Sequence, residues 1–448
     1  MSGMQTGKGD PPQTRARAEN RAMTKKTRPS VRFVALRYYP SVRATAQHLA
    51  DLAEGLVRRG YAVEVLCGAE DDVPDAPKLP KTELHNGVRI RRVRTTGFNR
   101  ASTLGRAVNT LSFYGSIFFA LVFGPKCDLL VMLTAPPMAG LMGAFARKLR
   151  GQRFGVWSLD LHPEAEIAVG MLREDGAAAR FLRRVDRYVL RRADFVVDLG
   201  RCMRQRLLDK GVRPERLTTI PVWSKKEDIE PVPPEANPLP DRLGLRGRFV
   251  VMYSGNAGIL HRFEEVLEVM RRLRDRREIV FLFVGGGVRR KEIEAFAETH
   301  ELPNFRYLDY FPRDRIKYSL SMGDVHLITL KTRAAGIAVP SKLYGAMAAA
   351  RPLIMVGPEA SEISLTIREV GCGYVIDPER VADPATALEK AILSLYENRA
   401  LARAQGARGR EAFLRRYECA VAVDQWKTLL DGLFTSRETP EPVAAKPL

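Results

Sequence analysis

The feature that most constrains this chain is an alternation. Apolar runs of strand length take turns with longer segments of helical period, and the pattern runs twice, with one proline-rich break between. Residues 31–36 read as a buried strand, 46–59 as a helix with Leu49, Leu52, Ala53 and Leu56 on one face and Gly60 as its stop, and 61–66 as the next strand. Strands at 128–133, 153–159 and 195–199 and helices at 138–149, 181–192 and 203–210 continue the pattern. Five prolines then fall within 231–240, a composition that predicts an inter-domain linker. Beyond it, strands at 249–253, 279–284, 324–330, 353–356 and 373–375 alternate with helices at 264–274, 290–300, 341–349 and 362–370. Such alternation buries a parallel sheet under helices on both faces. The expected fold class is α/β, with two Rossmann-like doubly wound domains facing a central cleft at the carboxyl ends of their strands.

The boundaries that follow are a basic arm, 1–30, expected to be disordered, a first domain at 31–224, a linker at 225–247 and a second domain at 248–410. A helix at 411–434 is expected to return to the first domain, with a tail at 435–448. A chain of 448 residues can bury two or three cores, and 45% apolar with 28% charged residues excludes wholesale disorder, collagen and a multi-span membrane protein. The formal charge of +20 favours an anionic partner: a nucleotide, a phospholipid surface or nucleic acid. The five cysteines are odd in number, dispersed and without zinc spacing, so they read as reduced thiols in a cytoplasmic compartment. The basic arm holds no apolar run of the secretory kind.

Four segments could carry chemistry. Tyr253-Ser254-Gly255-Asn256-Ala257-Gly258 follows a buried strand and precedes a helix, so its glycines would let backbone approach a phosphate at a helix start, with His261 and Arg262 adding donors. Taken alone, such a turn serves packing as readily as a ligand. Gly285-Gly286-Gly287 ends another strand, where missing side chains would admit a base or ribose, or simply a tight loop. In Pro340-Ser341-Lys342, Ser341 reads as an N-cap and Lys342 stands in the first turn, against the helix dipole. A bound diphosphate would compensate it; an exposed lysine would need nothing. Asp160-Leu161-His162-Pro163-Glu164 sets three proton-handling groups at the end of a strand, and Glu164 could equally cap the next helix.

Together with Ala53-Glu54-Gly55-Leu56-Val57-Arg58-Arg59-Gly60 and Gly357-Pro358-Glu359-Ala360-Ser361-Glu362, these segments give a chain that resembles glycosyltransferase family 4, of GT-B fold. The resemblance runs from about 31 to about 430 and is nearest the bacterial O-antigen and capsule branch that includes L-fucosamine transferases. It implies transfer of a sugar from a nucleoside diphosphate donor to a hydroxyl of a lipid-linked or polysaccharide acceptor. Retention at the anomeric carbon, no catalytic metal and no cofactor beyond the donor go with it. It also implies Asp160 and His162 as catalytic, and Gly255, Asn256, Gly258, His261, Arg262, Ser341 and Lys342 on the donor diphosphate. Gly285, Gly286, Gly287 and Glu362 fall to the nucleoside, and Arg43, Thr45 and Glu164 to an acceptor-side loop. The chain departs from the family at Ile337 and Gly345, where many members carry paired glutamates, and Glu362 is the nearest acid to replace them. It departs again at Arg43-Ala44-Thr45, where many have Gly-Gly, and at His162, where many have Trp.

The strip 88–106 holds six arginines and no acid, and 107–123 follows without a charge. Asn109, Ser112, Tyr114 and Ser116 argue against a span, which needs about 20 apolar residues. Arg89, Arg91, Arg92, Arg94 and Arg106 beside an apolar helix suit docking on an anionic leaflet, at about 1 kcal/mol per cation near the surface, and suit an ordinary buried helix equally. The expected location is cytoplasmic, peripheral on the inner face of the plasma membrane if docking occurs. A nucleotide-sugar epimerase of the same fold and a basic nucleic-acid-binding protein are the alternatives. With no recognition motif in the arginine runs, no nucleic-acid partner is expected.

Overall fold

The computed structural model describes residues 28–69, 79–98 and 103–435. The basic arm up to 27, and 436–448 of the expected tail, lie outside the described residues. In the first half the strands are β1 (Ser30–Val34), β2 (Ala62–Gly68), β3 (Thr82–His85), β4 (Val88–Val93), β5 (Leu129–Leu133), β6 (Phe154–Trp157), β7 (Val196–Asp198) and β8 (Leu217–Thr219). They form one sheet in the order β3-β4-β2-β1-β5-β6-β7-β8, parallel except for β3 against β4. The helices between them are α1 (Ala44–Arg58), α2 (Thr103–Val122), α3 (Gly140–Arg150), α4 (Glu164–Ala168), α5 (Ala177–Arg192) and α6 (Arg201–Asp209).

The second half contains β9 (Phe249–Ser254), β10 (Ile279–Val284), β11 (Phe305–Leu308), β12 (Val325–Thr329), β13 (Leu353–Val356) and β14 (Gly373–Ile376), all parallel in the order β11-β10-β9-β12-β13-β14. Its helices are α7 (Leu239–Arg242), α8 (Glu264–Arg272), α9 (Arg290–Thr299), α10 (Ile316–Met322), α11 (Lys342–Ala348), α12 (Glu362–Val370), α13 (Pro384–Glu397) and α14 (Arg399–Arg416), followed by α15 (Cys419–Thr435). Every residue of β5 and β10 is buried, as strands covered on both faces require. Strand order reverses between β1 and β5 and again between β9 and β12, and the loops at the carboxyl ends of those strands face each other across the cleft.

Two boundaries differ from the sequence reading. The linker at 225–247 is too long, because Leu239 and Leu245 are buried with Val250, Met252 and Leu282 in the second half's own core. Prolines there shape a short helix rather than a free spacer. The single helix at 411–434 is the end of α14 and all of α15, broken at Tyr417-Glu418. That last helix lies on the first half. Val423 packs on Gly55, and the fully buried Trp426 meets Phe33 at 6.2 Å and Trp157 at 5.2 Å between ring centroids.

The arginine strip also reads differently. Residues 88–93 form β4, with Val88 and Ile90 buried. Arg92 is buried too, bonded to Glu83 at 2.7 Å and to the carbonyls of Pro80 and Tyr39, so it offers no charge to a surface. Arg91 turns to the Ala120 carbonyl, Arg89 and Arg94 are exposed, and the side chain of Arg106 lies outside the described residues. The helix expected at 107–123 begins at Thr103. It buries Phe113, Ile117 and Leu121 and leaves Leu104, Leu111 and Phe119 exposed, with Phe123 just beyond its end. No described helix is long and apolar enough to cross a membrane.

Candidate functional site

Between the two halves lies a cavity of about 260 Å³. Ser254, Gly255, Tyr310, Ser341, Lys342 and Gly345 line it from the second half; Ala44, Gln47, His48 and Asp51 of α1 face them from the first. Trp223, Ser224, Lys225 and Asp228 of the connecting segment close the back.

Lys342 is the centre of its second-half wall. The stem lies along Gly255, whose φ of +131° and missing Cβ leave the room: an added Cβ would stand 2.6 Å from the lysine Cε. The ammonium donates to the Asn256 carbonyl at 3.2 Å and to His261 Nε2 at 3.0 Å, and stands 4.7 Å from the centre of the Tyr253 ring. No carboxylate pairs with it among the described residues. Burial pushes it down to about 7. The His261 Nδ1–H donates to the Thr329 carbonyl, which leaves Nε2 as the acceptor for the lysine. Burial first, and Lys342 second, push that imidazole down to about 3, so the ring is neutral. Two of the three ammonium N–H groups are spent in this way, leaving one for a ligand.

Several predicted donor residues are placed elsewhere. Arg262 is tied to the buried Glu265 at the start of α8 and does not line the cavity. Ser341 lines it, but already has helical backbone angles and makes no capping bond, so the expected N-cap is absent. The Gly255 N–H donates to the Val284 carbonyl at 2.8 Å and the Ala257 N–H to that of Gly286 at 2.7 Å. These bonds zip the loop after β9 to the loop after β10. Gly285, Gly286 and Gly287 serve that closeness: a Cβ on Gly285 would meet the Gly255 carbonyl at 2.3 Å, and one on Gly287 that of Ala257 at 2.4 Å. They do not line the cavity, and Tyr310 covers Gly286. Asn256 is exposed, and Gly258 lies beside its side chain. Glu362 is off the cavity as well; it bonds Arg201 of α6 at 3.0 Å, lies against Gly200, and has its Oε2 buried without a partner.

On the first-half side, Arg43 and Thr45 flank Ala44 at the start of α1 without lining the cavity. Glu164 is not free for an acceptor, since Lys210 binds both it and Asp186 at 2.6 Å. Asp160 and His162 stand at the end of β6 beside a separate small pocket with Thr134, Ser158 and Asp186. Asp160 pairs with Ala338 of the second half as an isolated bridge, and burial raises its carboxyl. His162 Nδ1 lies 2.8 Å from Glu166 Oε1.

The sequence reading missed the cavity's floor. Asp51 is buried, bonded to Lys225 and to Trp223 Nε1 at 3.4 Å, with Arg313 at 3.7 Å. Arg313 also bonds Asp228 at 2.6 Å. His48 stands edge-on to Trp223, and burial pushes it down to about 4. No sequence signal marked this group: Asp51 lies on the polar side of α1 with Gln47 and His48, away from the stripe of Leu49, Leu52 and Leu56. Among the described residues no three His, Cys, Asp or Glu side chains stand together as a metal site.

Comparison with known proteins is consistent over both halves. Residues 43–223 match the family described as glycosyl transferase 4-like domain, and 239–412 match glycosyl transferases group 1. The chain is 29% identical over 269 residues to a Pseudomonas aeruginosa protein named as the glycosyltransferase WbjE, covering 58% of this chain and 67% of that one. It is 25% identical over 379 residues to WcaI of Escherichia coli K12, named as a colanic acid biosynthesis glycosyl transferase, covering 80% and 91%. Among solved structures, sucrose-phosphate synthase from Thermosynechococcus elongatus superposes with a TM-score of 0.71 at 17% identity over 91% of this chain and all of that one. Anabaena HepE, in complex with UDP and glucose, gives 0.67 at 14% over 90% and 100%.

Proposed function

The chain belongs to glycosyltransferase family 4 and has its GT-B fold, and on that premise we propose that it moves a sugar from a nucleoside diphosphate donor to a hydroxyl of a lipid-linked or polysaccharide acceptor. Transfer proceeds with retention and without a metal, in the synthesis of cell-surface glycan. The observation that carries this reading is Lys342: a half-buried cation with no acid partner among the described residues, at the wall of the interdomain cavity, with one N–H uncommitted. A diphosphate supplies the missing anion, and the lysine charge is worth most where water is excluded. Ser341 and Asn256 add donors beside it. The names of solved relatives that hold UDP and UDP-glucose, and of WcaI, support the donor class and the glycan setting.

The first half brings the acceptor. His48, Gln47 and Asp51 face the donor wall, while Asp160 and His162 stand at the neighbouring strand end. The exposed Leu104, Leu111 and Phe119 of α2, near Arg94, rest on an anionic membrane surface on the cytoplasmic side, which presents a lipid-linked acceptor to the cleft. Co-sedimentation with vesicles containing phosphatidylglycerol, lost on Phe119→Asp, tests that part; equal binding to neutral vesicles counts against it.

Calorimetric titration with UDP, GDP, ADP and dTDP tests the centre. Micromolar binding of one nucleotide that persists in EDTA and weakens at least tenfold in Lys342→Ala is expected. Silence toward all four, or binding indifferent to Lys342, overturns the reading.

A further inference from the structure

Beside the small pocket at the end of β6, His162 and Glu166 form a pair that no motif in the sequence announced. Glu166 stands one helical turn after His162 and places Oε1 2.8 Å from its Nδ1. Lys210 holds the same stretch from behind, donating to the His162 carbonyl at 3.1 Å while bound to Glu164 and Asp186. His162 keeps about 12% of its side chain exposed and Glu166 about 21%. Glu166 Oε2 is buried and unpartnered, an unfavourable arrangement that alanine or leucine at this position would avoid. A carboxylate held there at a cost to stability points to a role toward the imidazole it binds.

We infer that Glu166 is a positioning residue that fixes His162 with Nδ1–H toward the carboxylate and Nε2 open as the proton acceptor for the acceptor hydroxyl, an inference that rests on the transferase reading above. Burial works to raise the Glu166 carboxyl, but the bond from His162 holds it below the usual range, so at 2.8 Å Glu166 accepts and Nδ1 carries the hydrogen. In the step this permits, once the diphosphate has begun to leave, the acceptor oxygen bonds the anomeric carbon on the same face, as retention requires; its O–H bond breaks and the proton passes to Nε2. The bond from that carbon to the diphosphate oxygen breaks with its electron pair leaving on the nucleoside diphosphate. Glu166 balances the imidazolium so formed. The other titratable groups facing the pair are Asp160, Asp186, Glu164, Lys210 and Tyr114.

The test uses the full chain. Nitrogen NMR of the six histidine rings, with the His162 signal identified by its loss in His162→Ala, is expected to show the Nδ1–H tautomer for His162, and loss of that preference in Glu166→Ala. An Nε2–H tautomer in the parent overturns the inference whatever the substrate. With UDP-glucose as the donor probe, release of UDP is expected to drop at least tenfold in kcat for Glu166→Gln with KM held. The acid limb of the rate should move down by about one pH unit, and Glu166→Asp should recover part of the rate. A parental rate and pH profile in Glu166→Gln, alongside an inactive His162→Ala, overturns the role of Glu166 and leaves the transferase reading standing. A fully active His162→Ala overturns both the assignment of His162 and this inference.

Discussion

Lys342 carries its charge at a titration point near neutrality because burial, rather than a neighbouring acid, sets its proton affinity. An anion that binds it restores that affinity, so binding takes up a proton wherever the free lysine has lost one. Nucleotide affinity is therefore expected to hold below pH 7 and to fall about tenfold per unit above it, and Lys342→Ala should flatten that slope while lowering affinity throughout. Calorimetry in buffers of different ionisation enthalpy at pH 8 reads the proton uptake directly; no uptake there places the lysine outside the binding step. The position of Lys342 was legible in the sequence as a cation in a first helical turn. Its partners were not, since Asn256, His261 and Lys342 meet from segments more than 80 positions apart. Asp51, Lys225, Asp228 and Arg313 were unreadable for the same reason, each ordinary alone and joined only by the fold.

At the scale of elements, the loops after β9 and β10 act as one zipped unit, and their glycines divide into two kinds. Gly287, at φ +127°, has backbone of the partner loop where a Cβ would go, whereas Gly255, at φ +131°, has a flexible lysine stem there. Gly287→Ala is expected to cost about 1–3 kcal/mol in urea unfolding, because strain and clash fall on backbone. Gly255→Ala pays the backbone strain too, but its clash is relieved by displacing Lys342, so its larger effect should be on nucleotide affinity. Equal affinity loss in the two variants would contradict this division. The central strands were legible to the residue where both faces are buried, as in β10, read at 279–284 from its apolar run. The hairpin β3–β4 was missed because Arg89, Arg91 and Arg92 interrupt Val88 and Ile90, and the half-exposed edge strand β11 because its four residues include Arg306. The helix α14 has apolar residues on every side rather than on one stripe, so no period marked it.

At the scale of the whole molecule, the two halves touch on both sides of the cavity. Arg313 reaches Asp51 and Asp228 at the back. Arg201 bonds Glu362 and Glu369 at the rim, where Arg206 donates to the Ala335 carbonyl and the Leu161 N–H to that of Ile337. Arg201 is about half exposed, so its pairs contribute about 1 kcal/mol or less to stability, yet they span a rim that opening must separate. Arg201→Ala should leave the unfolding midpoint almost unchanged while enlarging the radius of gyration in nucleotide-free solution scattering; an unchanged radius denies the rim that role. Acid acts on all parts together. His48, His326 and His261 are neutral in the folded chain, pushed to about 4, 4 and 3, chiefly by burial. The unfolded chain binds protons at these sites first, near pH 6.5, so stability is full above that pH and is lost as pH falls toward 4, by about 1.4 kcal/mol per unit for each histidine. Urea midpoints at pH 7, 5.5 and 4.5 should fall accordingly, and His326→Gln should lessen the slope.

The course of α15 sets an order of events at the ribosome. The first sheet leaves the exit tunnel first, yet the pocket between Phe33 and Trp157 stays open until Trp426 has been made, after all of the second half. The domain that starts earliest is thus completed after the second half, and through most of synthesis it shows an apolar seam that α15 fills.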